Sequence, residues 1–367
     1  MRQLPYNQLL PVKHLASVFE NTTNSYKFYW FWAVLDLLKE GEQRSEIPFQ
    51  DILLKMISLS WYTVNYYKLS FGVQDKLHRS IKFIIEQTDL NEDSPKLEIE
   101  ARLQQLLREK NKGIKKSIDD LGKYVPYRFI RPFFALELKG VKNVNKEIKT
   151  LSTDYFTVNE KASFYKIGKQ SIILNQYWRA YLLDNLRVVQ DFCFWNLGKF
   201  LQSRNPNVSN IGNKLLAPDT KRDLKMARAF WNIAIDQTEI RCIYSQSLMR
   251  QGAISIDHFV PWSYVTHDLL WNLSPTTVEI NSSKSNNLPS TSLYLDAFAK
   301  LQHQAFLKVY QSKQKGLLED FSIAFQDELD EIAQYETHLF ESKIKAQLKP
   351  LIQIAENLGF QSNWAWE

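Results

Sequence analysis

The chain has 367 residues, of which 44% are hydrophobic, 13% aromatic and 23% charged. That supplies apolar side chain for two or three domain cores and excludes wholesale disorder. The net charge of +6 is uneven: from Asp296 onward 11 acidic residues face 7 basic ones, a net of −4, so residues 1–295 carry +10 and are where an anionic partner is expected.

The start, "MRQLPYNQLL", lacks the unbroken apolar run of a signal peptide. The most apolar run, Phe28 to Leu38, is too short to span a bilayer and holds Asp36. A soluble, cytoplasmic protein with no membrane partner is expected. The two cysteines, Cys193 and Cys242, sit in apolar contexts and form no CxxC, which excludes a structural zinc knuckle. Their count permits a disulfide, but two buried free thiols suit a reducing compartment better.

Residues 1–124 read as a helical N-terminal domain. Two helices flank a polar break at Asn21–Ser25, with Asn24 or Ser25 as cap of the second, and "FQDILLKMISLSWYTVNYYKL" gives a third. Trp30, Trp32, Trp61, Tyr62, Tyr66 and Tyr67 read as core residues with polar tips, the alternative being a base-stacking platform. Lys110, Lys112, Lys115 and Lys116 are either phosphate contacts or a solvated helix end.

Residues 125–238 read as a mixed region. "PYRFIRPFFAL", "DYFTV" and "KASFYKIG" are expected as short strands, and "KQSIILNQYWRAYLLDNLRVVQDFCFWNLGKFL" as one long helix. "APDTKRDLKMARAFWNIAIDQ" predicts a further helix capped by Asp219 or Thr220. Lys221, Lys225 and Arg228 then fall at i, i+4 and i+7 on one face, either solvated or set against a nucleic-acid backbone. Residues 291–367 read as acidic amphipathic helices.

Between these lie residues 239–290. "IRCIYSQSL" and "GAISIDHFVPW" are expected as two strands joined by a turn, and "SPTTVEINSSKSN" as a short helix capped by Ser274 or Thr276. Asp257 and His258 are neighbours on the second strand and face opposite sides unless the strand ends there; Pro261 supports an end.

The sequence Asp257-His258-Phe-Val-Pro261, followed by Asn272 and Asn281 at 14 and 23 residues beyond His258, and then by a Lys284-Ser run and a closing Pro, resembles the HNH nuclease motif. It is most similar to the HNH domain type of RNA-guided CRISPR effector nucleases. The resemblance covers roughly residues 240–290. It implies a small ββα-metal nuclease domain embedded toward the C-terminus of a mostly helical α+β protein.

By the same resemblance His258 is the general base, Asp257 and Asn281 hold one Mg²⁺ (or Mn²⁺), Asn272 braces the loop that orients His258, and Lys284 contacts phosphate near the cut. DNA is the implied substrate, with 5′-phosphate and 3′-hydroxyl products. A single site implies nicking, and a homodimer could break both strands. His267, in the variable loop beside Asp268, is expected to be solvent-exposed. The whole chain resembles bacterial HNH proteins of defence and restriction loci. Two alternatives stand beside a self-sufficient nuclease: an effector subunit targeted by a larger defence complex, or a non-catalytic nucleic-acid-binding module.

Overall fold

The computed structural model of the chain describes residues 4–41, 45–218 and 222–367. They form an α+β protein that is mostly helical, with five short strands in two sheets. The contacts divide the chain into two compact units. One runs to Pro206 and takes in Ile211–Ala217; the other comprises Asn207–Asn210 and Pro218–Glu367.

The first unit is built around two helices that are apolar on nearly every face, Tyr26–Glu40 and Phe49–Asn65. A helix with apolar residues all round must be covered on all sides. Here the covering comes from the amphipathic helices Lys76–Glu86, Lys96–Arg108 and Lys112–Gly122, which pack on Phe49–Asn65. Trp30, Trp61 and Tyr67 are fully buried and Trp32 and Tyr62 nearly so, which leaves them in the core rather than on a stacking platform.

Two of the expected strands of this unit are helices. "PYRFI" lies in the helix Val125–Ile130, with Pro126 in its first turn, and "DYFTV" ends the helix Val144–Val158. In them Phe129 packs on Phe164 and Tyr155 on Phe134, and that packing outweighs intrinsic strand preference. Conversely the expected long helix begins as a strand. β1 (Glu46–Pro48), β2 (Tyr165–Ile167) and β3 (Ser171–Leu174) form an antiparallel sheet in the order β1-β3-β2, with Ile172 opposite both Ile47 and Ile167. Asn175 then accepts from the backbone N–H groups of Tyr177 and Trp178, a cap that starts the helix Gln176–Asp184. A second helix, Leu186–Gln202, follows after Asn185.

In the second unit β4 (Ser255–His258) pairs antiparallel with β5 (Leu273–Thr276), so that Asp257 opposes Ser274 and His258 opposes Leu273. The helix Val278–Lys284 follows, capped by Thr277, whose hydroxyl accepts from the Ile280 N–H. The ββα order of strand, strand and helix is therefore present, but one strand is not where the sequence placed it. "IRCIYSQSL" folds back on itself through the Arg241↔Leu248 bridge and the bond from Met249 N–H to the Ile240 carbonyl, so it pairs with its own return. The second strand is Leu273–Thr276, whose Ser-Pro-Thr composition reads as a helix start.

With no zinc-binding cysteine pairs, the motif is held by the helices that follow it. Gln302, buried on the helix Thr291–Gln311, donates to the carbonyls of Leu270 and Leu273 at 3.2 and 2.6 Å. Asp320 accepts from the Leu270 N–H at 2.9 Å. Phe259 stacks obliquely on Phe298, with ring centres 4.5 Å apart. Near the end of the chain, the Trp364 N–H donates to the Leu288 carbonyl and the Trp364 carbonyl accepts from the Ser290 N–H, and Tyr244, Tyr294 and Trp364 form an aromatic cluster. Both cysteines are buried free thiols; Cys242 Sγ lies 3.2 Å from the Thr276 hydroxyl, across to β5.

Candidate active site

β4 ends at His258 because the chain beyond it is clamped by Asn272. The Val260 N–H donates to Asn272 Oδ1 at 2.8 Å, and Asn272 Nδ2 donates to the Val260 carbonyl at 2.9 Å. The Phe259 N–H reaches the Asn272 carbonyl at 2.8 Å. Asn272 is fully buried, so its side chain acts as a rigid extension of the sheet into a turn that carries Pro261.

His258 is buried, and both ring nitrogens have partners. Nε2 lies 2.8 Å from Asp268 Oδ1, and Nδ1 lies 3.4 Å from an Arg222 guanidinium nitrogen. A guanidinium only donates, so Nδ1 carries the lone pair and Nε2 carries the proton given to the carboxylate. Burial is the main cause of a pKa lowered from the ordinary 6.5; the Asp268 hydrogen bond pulls it up and the Arg222 charge pushes it down. Neutral imidazole with a basic Nδ1 therefore predominates at neutral pH.

The loop that delivers Asp268 takes a costly conformation. The helix Trp262–Val265 ends at Thr266, whose φ of +53° is left-handed and disfavoured for a β-branched residue. Asn210 holds that turn by donating to the Thr266 carbonyl at 3.1 Å. His267 is half-buried beside Trp271 rather than exposed, with ring centres 5.5 Å apart. Asp268 comes back under the imidazole.

Asp257 faces different partners. Its Oδ2 accepts from the Tyr244 hydroxyl at 2.8 Å and its Oδ1 from Lys284 Nζ at 3.1 Å. Lys284 is fully buried and also donates to the His258 carbonyl at 2.6 Å. The expected phosphate contact by Lys284 is thereby corrected: its ammonium is enclosed and holds the strand to the helix. Asn281, one turn before Lys284 on the same helix face, donates from Nδ2 to Ser255 Oγ at 2.7 Å and to the Ile256 carbonyl at 3.3 Å. Asp257, Asn281 and Lys284 thus meet around β4. Lys284 links them to His258 through the His258 backbone carbonyl.

The donor set suits a hard cation in kind. One carboxylate, with lone pairs beyond the two in use, and one amide oxygen, turned away from the strand by the bonds of its own nitrogen, are oxygen ligands. Among the described residues no group of three or more His, Cys, Asp or Glu side chains is placed to hold a metal. An ion here would draw the rest of its shell from water and substrate phosphate, the usual condition of protein-bound Mg²⁺.

Of the expected basic stripe, Lys221 lies outside the described residues. Lys225 opens the helix Lys225–Gln237, is exposed and lies 3.5 Å from Asp223; the exposed Arg228 donates to the Ile254 carbonyl at 3.3 Å. The Asp219 or Thr220 cap also lies outside the described residues. Arg222, just before this helix, went unmarked in the sequence. It sits 36 residues before His258, with its guanidinium 5.5 Å from the Trp262 ring centre. Asp268 carried a faint signal, a carboxylate in the loop that returns from His258 to Asn272.

Residues 242–290 match the HNH endonuclease family. No curated protein matches the chain, and no solved structure matches it. No helix among the described residues is long and apolar enough to cross a membrane.

Proposed function

From the HNH endonuclease domain at residues 242–290 we propose that the chain is a divalent-metal-dependent DNA endonuclease whose general base is His258 Nδ1. The observation that carries this reading is the 2.8 Å pairing of His258 Nε2 with Asp268, which fixes the tautomer and leaves Nδ1 basic. A water at Nδ1 gives up its proton there as its oxygen attacks phosphorus. Asp268 holds the ring and stabilises the imidazolium that forms. Arg222, at 3.4 Å from the same nitrogen, exchanges that long contact for a phosphate oxygen of the substrate. Asn272 keeps β4 and its turn in place. Asp257 and Asn281 would hold one Mg²⁺ or Mn²⁺, which when bound neutralises charge on a non-bridging oxygen and on the leaving 3′ oxygen. The products carry 5′-phosphate and 3′-hydroxyl ends. Lys225 and Arg228, exposed on one helix, add backbone contacts that position the duplex.

A second reading is a nuclease subunit activated by a partner complex. It is favoured by the enclosure of Asp257 between Tyr244 and Lys284, which keeps the carboxylate from solvent until the site opens. The proposal extends to bacterial anti-phage defence or restriction as the setting, a step beyond the domain match itself. The test is supercoiled plasmid incubated with purified protein and Mg²⁺ or Mn²⁺, with and without EDTA. Relaxed or linear product that EDTA abolishes and that a ligase reseals supports the proposal. Product that persists in EDTA overturns it. Cleavage that appears only with a partner supports the second reading.

A further inference from the structure

The first unit holds a cleft of about 720 Å³ between the loop Asn21–Asn24 and the segment Arg128–Lys139, and its walls are cationic. Lys27, Arg128, Arg131 and Lys139 line it against one carboxylate, that of Glu20. Lys27 Nζ binds the carbonyls of Val18 and Asn21 at 3.1 and 3.2 Å and meets no acidic group there. Among the described residues no hydrogen bond or ion pair engages the guanidinium of Arg128 or of Arg131. Burial first, and then the charges of Arg131 and Arg128, bring the pKa of Lys27 down to about 8. Like charges gathered in a half-buried cleft repel one another, and an anion seated among them would offset that repulsion.

A second cavity of about 280 Å³ shares Asn24, Tyr26 and Arg128 with the first. Its other walls include Leu77, Leu121, Tyr124 and Val125, with Lys76 and Asp120 as charges of opposite sign, so it offers more apolar and aromatic surface than the first. Arg128 and Tyr26 stand at the boundary. One chamber suits phosphate groups, through guanidinium forks and loop hydroxyls and amides. The adjoining one suits a flat heterocycle laid against tyrosine.

We propose that these joined cavities bind a free nucleoside phosphate, with its phosphates among Lys27, Arg128 and Arg131 and its base between Tyr26 and Tyr124. This site belongs to the first unit, and it stands or falls separately from the nuclease reading.

The test is calorimetric titration of the full-length protein in EDTA with ATP, GTP, inorganic triphosphate, adenosine, and an oligonucleotide with and without a 5′-phosphate. Saturable binding of ATP or GTP is expected, weakened at least about tenfold by the pair R128A/R131A. Tyr124→Ala, at an exposed position, should weaken the nucleotides and leave inorganic triphosphate unchanged. No saturable nucleotide binding, or binding indifferent to R128A/R131A, overturns the site. Equal affinity for nucleotide and triphosphate, unaffected by Tyr124→Ala, overturns the base chamber. Tighter, Arg128-dependent binding of the 5′-phosphorylated oligonucleotide than of either nucleotide overturns the free ligand in favour of a strand end. Thermal melts of each variant in ligand-free buffer separate lost binding from lost folding.

Discussion

His258 Nε2 lies 2.8 Å from Asp268 Oδ1, and the two residues are joined by a loop that passes through a left-handed Thr266. That relationship decides which imidazole nitrogen is basic. It makes Asp268 a positioning residue for the proposed reaction. Asp268→Asn should lower the cleavage rate by roughly ten- to a hundredfold, less than the ~10²–10⁴ of losing a general base. Because the carboxylate raises the His258 pKa, the variant's pH profile should also shift to lower pH. A merely structural role would lower the plateau without moving the profile.

Wild-type activity should rise with pH through a value below 6.5, the ordinary histidine pKa, and then stay flat to neutrality, because burial holds the His258 pKa down. The sign for stability follows. As pH falls below that ordinary value the unfolded chain takes up a proton that the folded chain refuses. The contribution of His258 is therefore fully present above the unfolded pKa and is lost as pH falls through the window toward the lower folded pKa. Chemical denaturation across this window, compared with His258→Gln, should show the wild type losing more stability toward acid.

Arg222→Ala removes the proposed phosphate contact. Binding should weaken, and the slope of log affinity against log salt should shrink by about 1. The activity profile should move to higher pH, opposite to Asp268→Asn, since the Arg222 charge lowers the His258 pKa. Filter binding across a salt series, beside pH–rate profiles, reads both effects.

Lys284→Met should destabilise the second unit by about 3–5 kcal/mol, because it leaves a buried carboxylate without its cation. Asn272→Ala should cost less, about 1–3 kcal/mol, by orphaning the Val260 N–H and carbonyl. In both variants the melting temperature of the intact chain is the measurement. Mg²⁺ should restore part of the loss in Lys284→Met and none in Asn272→Ala.

The sequence marked the candidate site more plainly than the strands that build it. Asp257, His258, Asn272 and Asn281 were visible because the motif fixes their spacing along the chain, whatever the intervening residues do. β5 was missed because Leu-Ser-Pro-Thr carries no alternation and holds a proline; it is a strand only because β4 and Gln302 supply partners. Lys284 was misread because a lysine after a nuclease motif suggests phosphate, and nothing local announces burial against Asp257. Arg222 comes from 36 residues upstream, and only tertiary folding sets it beside His258. In the first unit the aromatic runs correctly implied a core, while "PYRFI" and "DYFTV" became helices through packing that propensity does not encode.

The most direct test of the central claim is single-turnover cleavage of an end-labelled DNA duplex in Mg²⁺ at neutral pH by wild type and by His258→Ala, each shown to be folded by its melt. A wild-type rate that falls by about 10²–10⁴ in the variant, with DNA binding retained, is the predicted result. Cleavage by His258→Ala within a few-fold of wild type would contradict the assignment of His258 as the base.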